Sequence, residues 1–88
     1  MNQPLRLLIV DDSADDTELV SRSLRSQGYL VTSAAVDTPM SMRAALERQE
    51  WDLIACDHSM PNFNAPAALA IAKELRPEVP FIIVSGEI

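Results

Sequence analysis

Acidic and hydroxyl residues directly follow three short apolar runs, and together they could carry chemistry. Asp11 and Asp12 follow the run at 7–10, Asp57 follows the run at 51–56, and Ser85 follows the run at 81–84. Carboxylates that share a crevice repel each other unless a proton or a cation lies between them. Mg²⁺ prefers such oxygen ligands, and an aspartate carboxylate can attack phosphorus to form an aspartyl phosphate. The pattern therefore predicts a cation site that could support phosphoryl transfer.

Each of these residues also has a simpler interpretation when it is considered alone. Asp11 and Asp12 suit the start of a helix, where the helix dipole favours negative charge. Asp57 suits a turn, because a proline-containing loop follows it. His58 could act as a general base beside Asp57, but a lone loop histidine is more often incidental. The prediction of a site therefore depends on the joint placement of these residues.

The elements that must position these residues alternate between strand and helix. Strands are predicted at 7–10, 29–36, 51–56 and 81–84, and helices at 14–27, 39–50 and 65–76. Thr38 and Asn64 are predicted helix caps, and Gly28 is predicted to end the first helix. The predicted buried faces of the helices comprise Leu19, Val20 and Leu24, then Met40, Ala44, Ala45 and Leu46, then Ala68, Ile71, Ala72 and Leu75. This alternation indicates a parallel sheet with helices on both faces. The carboxyl ends of its strands lie at one edge, where ligands bind in such folds.

The composition limits the class of protein. A chain of 88 residues with 48% apolar residues can form one small domain. Its net charge of −6 offers no basic patch for nucleic acid. The single Cys56 lies in an apolar run and excludes an internal disulfide, which indicates a core residue in a reducing compartment. The sequence shows no signal peptide or membrane-spanning run, so we expect a soluble, cytoplasmic protein.

Three short motifs together resemble the receiver domain of two-component response regulators. They are LIVDDS at 8–13, DHSMP at 57–61 and IIVSGE at 82–87, and they occur in the order found in that family. The resemblance covers essentially the whole chain. It implies a flavodoxin-like three-layer α/β sandwich with a parallel sheet in the order 2-1-3-4. It also implies a regulatory domain rather than an enzyme, with at most Mg²⁺-dependent phosphorylation and dephosphorylation of itself.

The resemblance implies specific residue roles. Asp57 would be the phosphoacceptor and also a ligand of the metal ion. Asp12 would bind Mg²⁺ or Mn²⁺ directly, Asp11 mainly through water, and the main-chain carbonyl of Ser59 would be a further ligand. Ser85 would be the switch hydroxyl that bonds the phosphoryl group. Ser59 and Glu87 would occupy the two positions that tune phosphoryl lifetime.

The resemblance also implies partners. A histidine kinase or a phosphotransfer protein would donate the phosphoryl group, and an output domain or downstream effector would read the result. We expect no direct binding of nucleic acid or membrane by this domain.

The sequence departs from the family pattern in two places. Ala65 stands where the family usually has glycine, and the chain ends at Ile88, before the fifth strand and the last two helices of the family. We therefore expect residues 1–88 to form the N-terminal part of a receiver domain. The family's phosphoryl-binding lysine lies on the fifth strand, so we also expect little retention of phosphoryl. An exposed fourth strand could then pair with a second copy to form a homodimer.

Two alternatives remain from the sequence. A pseudo-receiver would dock or dimerise without turning over phosphate, and a phosphorylation assay would distinguish it. A small metal-dependent phosphatase would need a second acid/base carboxylate close to Asp57, and the sequence offers His58 and Ser59 there instead.

Overall fold

The computed structural model describes residues 3–12, 14–57 and 63–84, and these residues form four strands and three helices. The elements are β1 (Gln3–Val10), α1 (Ala14–Ser26), β2 (Tyr29–Val36), α2 (Pro39–Arg48), β3 (Leu53–Asp57), α3 (Ala65–Leu75) and β4 (Phe81–Val84). All strand pairs are parallel, and the sheet has the order β2-β1-β3-β4. The predicted fold class and strand order are therefore confirmed. Within the described part of the chain, no helix is both long and apolar enough to cross a bilayer.

The alternation of side chains along β1 divides the core into two layers. Leu8 and Val10 pack with α2 and α3 in the larger cluster, whereas Leu7 and Ile9 form the smaller cluster with α1. All four side chains are fully buried. A strand buried on both faces explains why the run at 7–10 is apolar at every position.

The predicted caps begin or end their helices as expected. Thr38 accepts a hydrogen bond from the Ser41 N–H at 3.1 Å and forms a capping box with that residue. Asn64 accepts one from the Ala67 N–H at 2.8 Å. Gly28 has a φ of 97°, a conformation that glycine adopts without steric cost. These local signals fix where each helix meets the sheet.

Some predicted boundaries were wrong. β1 begins at Gln3, α2 ends at Arg48, and β3 begins at Leu53 rather than Trp51. Trp51 lies just before β3, where its indole is buried and its Nε1–H donates to the Ala45 carbonyl at 2.9 Å. A buried tryptophan that packs ahead of a strand gives the same apolar signal as one inside it.

Three predicted core residues are exposed. Ala44 of α2 is exposed to solvent. Leu19 is 60% exposed and Met40 is 81% exposed. On α1, Val20 and Leu24 are spaced by one helical turn and pack on the sheet, so the neighbouring Leu19 points away from it. On α2, Met42 is fully buried, because it shares a face with Ala45 and Leu46.

An ion pair fixes β1 against the start of β3. The Arg6 main-chain N–H and Nε–H donate to Asp52 Oδ2 at 2.8 and 3.1 Å, and its NH2 group donates to Oδ1 at 3.0 Å. The Asp52 N–H returns a hydrogen bond to the Arg6 carbonyl at 2.8 Å. These bonds hold the register of the two strands that carry the predicted site residues at their opposite ends.

We expect Asp52→Asn to lower the free energy of unfolding slightly at neutral pH, and to have no effect in strong acid. Hydrogen bonds from Arg6 lower the pKa of Asp52 in the folded protein. Such a carboxyl stabilises the fold above its unfolded pKa of about 3.9, and the contribution disappears as pH falls through the folded pKa. The effect is small because the Asp52 side chain is 35% exposed and its ion pair is screened by water. Urea unfolding between about pH 7 and about pH 3 measures it. A difference from wild type that does not vary with pH would contradict the prediction.

Candidate functional site

Strand register brings Asp11 and Asp57 to the same edge of the sheet. Val10 of β1 pairs with Cys56 of β3, so the aspartates that follow them leave the two strands side by side. The Asp11 N–H also donates to the Val36 carbonyl at 2.9 Å, which extends the hydrogen bonding between β1 and β2 by one residue. The Asp57 backbone is held on its other side, where it pairs with Val84 of β4. Both carboxylates therefore have fixed backbones.

The three predicted carboxylates form one cluster. Asp11, Asp12 and Asp57 each offer a carboxylate oxygen, and these oxygens lie within 4.8 Å of one another. Asp11 and Asp57 are 5% and 6% exposed, whereas Asp12 is exposed to solvent. The predicted proximity is confirmed. The cluster thus combines two buried carboxylates with one that is open to solvent. A cation or a substrate could reach it from the side of Asp12.

The donor set of this cluster suits a hard divalent cation. All three donors are carboxylate oxygens, the ligands that Mg²⁺ and Ca²⁺ prefer. Two oxygens bound directly to one Mg²⁺ can lie no more than about 4.2 Å apart, since each Mg–O distance is about 2.1 Å. The carboxylate oxygens of the cluster lie within 4.8 Å of one another, which is close to that value. A carboxylate slightly too far from the cation for direct contact can bind it through a water molecule. The cluster therefore fits the predicted cation without a large rearrangement.

Cys56 lies directly before Asp57 and is fully buried in the larger core cluster. Burial, together with the nearby Asp57 and Asp11 carboxylates, raises the pKa of the Cys56 thiol to about 11. The thiol is therefore protonated at neutral pH, and it donates to the Asp57 main-chain carbonyl at 3.4 Å. The prediction that Cys56 is a small core residue is therefore confirmed. Because the thiol stays protonated, it does not react as a thiolate at neutral pH.

Several predicted site residues lie outside the described residues. These are His58, Ser59, Ser85 and Glu87. Their proposed roles as base, carbonyl ligand, switch hydroxyl and tuning positions stay predictions. Asp12 and Asp57, by contrast, lie where the sequence predicted them, at the carboxyl ends of β1 and β3.

Sequence reasoning missed a fourth acidic residue at this edge. Asp37 follows Val36, the last residue of β2, and it is exposed. Because Val36 pairs with Val10, Asp37 is the next residue along the strand beside Asp11. Its position directly after an apolar strand is the same signal that identified Asp11 and Asp57. It does not belong to the group of carboxylates that could share one ion.

Comparison with known proteins gives a consistent result. The family model described as the response regulator receiver domain matches residues 7–88. Transcription factor SKN7 of Saccharomyces cerevisiae is 31% identical over 88 residues, which are all of this chain and 14% of that protein. A protein-glutamate methylesterase/protein-glutamine glutaminase of Gluconobacter oxydans is 30% identical over 98% of this chain and 24% of its own length. The chain thus spans a quarter or less of these two relatives.

A solved structure has a similar fold. The receiver domain of a sensor histidine kinase from Pseudomonas aeruginosa superposes with a TM-score of 0.73 and 26% sequence identity. The superposition covers 96% of this chain and 69% of that one. That crystal structure has a magnesium ion coordinated in its active site cleft.

Proposed function

Because this chain belongs to the response regulator receiver domain family, we propose that it accepts a phosphoryl group on Asp57 with the help of a divalent cation. Receiver domains are regulatory modules of two-component signalling, so the domain that is phosphorylated on Asp57 is a signalling state. The donor is a histidine kinase or a histidine phosphotransfer protein. An output domain or a separate effector reads the phosphorylated state. A cytoplasmic location stays a prediction.

The observation that carries this proposal is the cluster of Asp11, Asp12 and Asp57 within 4.8 Å. Three carboxylates this close are stabilised in their ionised form only by nearby positive charge or hydrogen bonds. Mg²⁺ or Mn²⁺ supplies that charge when it is bound, and it also neutralises charge on an incoming phosphoryl group. Asp12 would hold the cation directly, and Asp11 mainly through water.

The residues of the chain then perform a simple displacement. A carboxylate oxygen of Asp57 attacks phosphorus and forms the new P–O bond, while the bond between phosphorus and the donor nitrogen of a phosphohistidine breaks. The bonding electrons go to that nitrogen, which takes a proton. Two features of Asp57 favour the attack, since its backbone is paired with Val84 of β4 and its side chain is largely shielded from water. Ser85 would bond the transferred group, the Ser59 carbonyl would complete the cation site, and Ser59 and Glu87 would tune the lifetime of the product.

A pseudo-receiver that only docks or dimerises remains the second candidate. It would keep the fold and lose the response to cation and phosphodonor. The acidic cluster favours the phosphoacceptor, because a docking module has no need for two buried carboxylates within reach of a third. Treating the protein with acetyl phosphate in the presence and absence of Mg²⁺ separates the two candidates.

We expect Asp12→Asn to weaken Mg²⁺ binding by about 10-fold or more, since one of the few charged ligands of a hard cation is lost. Calorimetric titration at millimolar Mg²⁺ measures the affinity directly. The matched control is Asp37→Asn, which removes an exposed aspartate at the same sheet edge but outside the cluster. Equal losses in the two variants would show that only the general negative charge of this edge attracts the ion.

We also expect self-association through β4. In the sheet that the structure describes, β4 is an edge strand, and its Ile82 and Ile83 are 42% and 53% exposed on opposite faces. Unpaired backbone groups and uncharged side chains make such an edge a template for another strand. Light scattering across a concentration series should show dimers that Ile83→Lys removes. A monomer at every concentration would contradict this expectation.

A further inference from the structure

We propose that Phe63 is a positioning residue for the cation site, an inference that rests on the proposed function. It does not touch the cation. Its role is to pack the residues just before α3 into the core, and so to keep the carboxylates in the geometry that binds the ion. The structure supports this role through the burial of Phe63, the anchoring of the residues beside it, and its place in the core.

The chain is fixed on both sides of the site. Asp57 is the last residue of β3 and pairs with Val84 of β4, and Phe63, just before α3, is only 3% exposed. The next residue, Asn64, caps α3 through its bond to the Ala67 N–H, and Ala65 is itself 6% exposed. The start of α3 therefore cannot shift along the chain without losing a cap and a buried ring.

Phe63 belongs to the larger of the two core clusters. Phe63 lies in the same buried cluster as Val10 and Cys56, and these two residues directly precede Asp11 and Asp57. Strand pairing joins Val10 to Cys56. Interiors are packed closely enough that a void at one position shifts its neighbours. Truncating Phe63 would therefore loosen the strand ends that place two of the three carboxylates.

A small displacement of the carboxylates changes the affinity for the cation more than it changes the stability of the fold. Groups that hydrogen-bond to metal ligands typically change the metal affinity by about 10-fold or more when they are replaced, and we expect a side chain that packs the ligand-bearing strands to act in the same direction. A phenylalanine elsewhere in the same core has no such effect, because its loss costs stability but leaves the ligands in place. Phe81 is that comparison, since it packs against the same cluster from the start of β4 and pairs with Ile54, at the opposite end of β3 from Asp57.

The experiment compares Mg²⁺ affinity in wild type, Phe63→Ala, Phe63→Leu and Phe81→Ala by calorimetry. Circular dichroism first establishes a temperature at which each variant is folded. We expect Phe63→Ala to bind Mg²⁺ about 10-fold more weakly or worse, Phe63→Leu to recover most of that affinity, and Phe81→Ala to match wild type. If Phe63→Ala does not fold, Phe63→Val replaces it and should show a smaller loss in the same direction.

Two results would overturn the proposal. The first is a folded Phe63→Ala or Phe63→Val variant that binds Mg²⁺ as tightly as wild type. The second is an equal loss of Mg²⁺ affinity in Phe81→Ala, which would show that the loss reflects lower stability in general. Failure of the proposed function is recognised separately, because wild type itself would then show no saturable Mg²⁺ binding.

Discussion

Replacing Asp57 with asparagine is expected to abolish phosphoryl incorporation from acetyl phosphate. The amide keeps the size of the side chain and most of its packing, but it lacks the anionic oxygen that attacks phosphorus. Since Asp57 is only 6% exposed and its backbone is paired with Val84 of β4, no other carboxylate can take its place at the same position. The loss should be complete within the sensitivity of an assay for hydroxylamine-sensitive phosphate.

The matched control for this prediction is Asp37→Asn. Asp37 also follows a strand at the same sheet edge, but it is exposed and lies outside the cluster. We expect this variant to incorporate phosphoryl as wild type does. If Asp57→Asn retained incorporation while Asp37→Asn lost it, the assignment of the phosphoacceptor would be wrong.

Leu8→Ala is expected to lower the free energy of unfolding by about 2–5 kcal/mol. Leu8 is fully buried in the larger core cluster and is flanked in the sheet by Ala34 of β2 and Ile54 of β3. Removing its side chain costs transfer free energy and leaves a cavity that a parallel sheet cannot easily close. Because a small domain is stabilised by only about 5–15 kcal/mol in total, this single change should remove a large share of the stability of the fold. Urea denaturation measures the loss.

Leu19→Ala removes the same atoms from an exposed position and serves as the control. Leu19 is 60% exposed on α1, so we expect its replacement to change the free energy of unfolding by about 0.5 kcal/mol or less. A large loss in Leu19→Ala would mean that another surface covers α1 in solution. A small loss in Leu8→Ala would contradict the observed core.

The order of the strands and helices could be predicted because the buried strands have distinctive sequences. A run that is apolar at every position, as at 7–10, has few alternatives to a strand covered on both faces. The two helix starts at Thr38 and Asn64 carry caps whose hydrogen bonds the structure contains. The strand order 2-1-3-4 came from the family resemblance and is confirmed.

The orientation of individual side chains could not be predicted as well. Leu19 and Val20 are adjacent apolar residues, yet Val20 packs on the sheet and Leu19 is exposed. Likewise, Met40 and Met42 both fit an apolar helix face, yet only Met42 is buried. The packing of a helix on its sheet is a tertiary property that periodicity within one helix does not contain.

The proximity of the acidic residues followed from their shared place at the ends of parallel strands. What the sequence could not give is the difference in burial, with Asp11 and Asp57 shielded and Asp12 exposed. That difference arises because β1 and β3 are interior strands, so the residue that continues each ladder is covered by neighbours, whereas Asp12 is one residue farther from the sheet.

Locating the phosphoryl group after treatment with acetyl phosphate and Mg²⁺ is the sharpest test of whether Asp57 is the phosphoacceptor. The labelled fraction at any moment should be small, because a phosphoryl group with nearly two negative charges lies beside Asp11 and Asp12. Reduction with borohydride during the reaction traps the acyl phosphate as it forms, and peptide mass spectrometry then identifies the modified residue. We expect modification of Asp57 that requires Mg²⁺ and disappears with a chelator. Modification confined to other residues, or no trapped product in the presence of Mg²⁺, would contradict it.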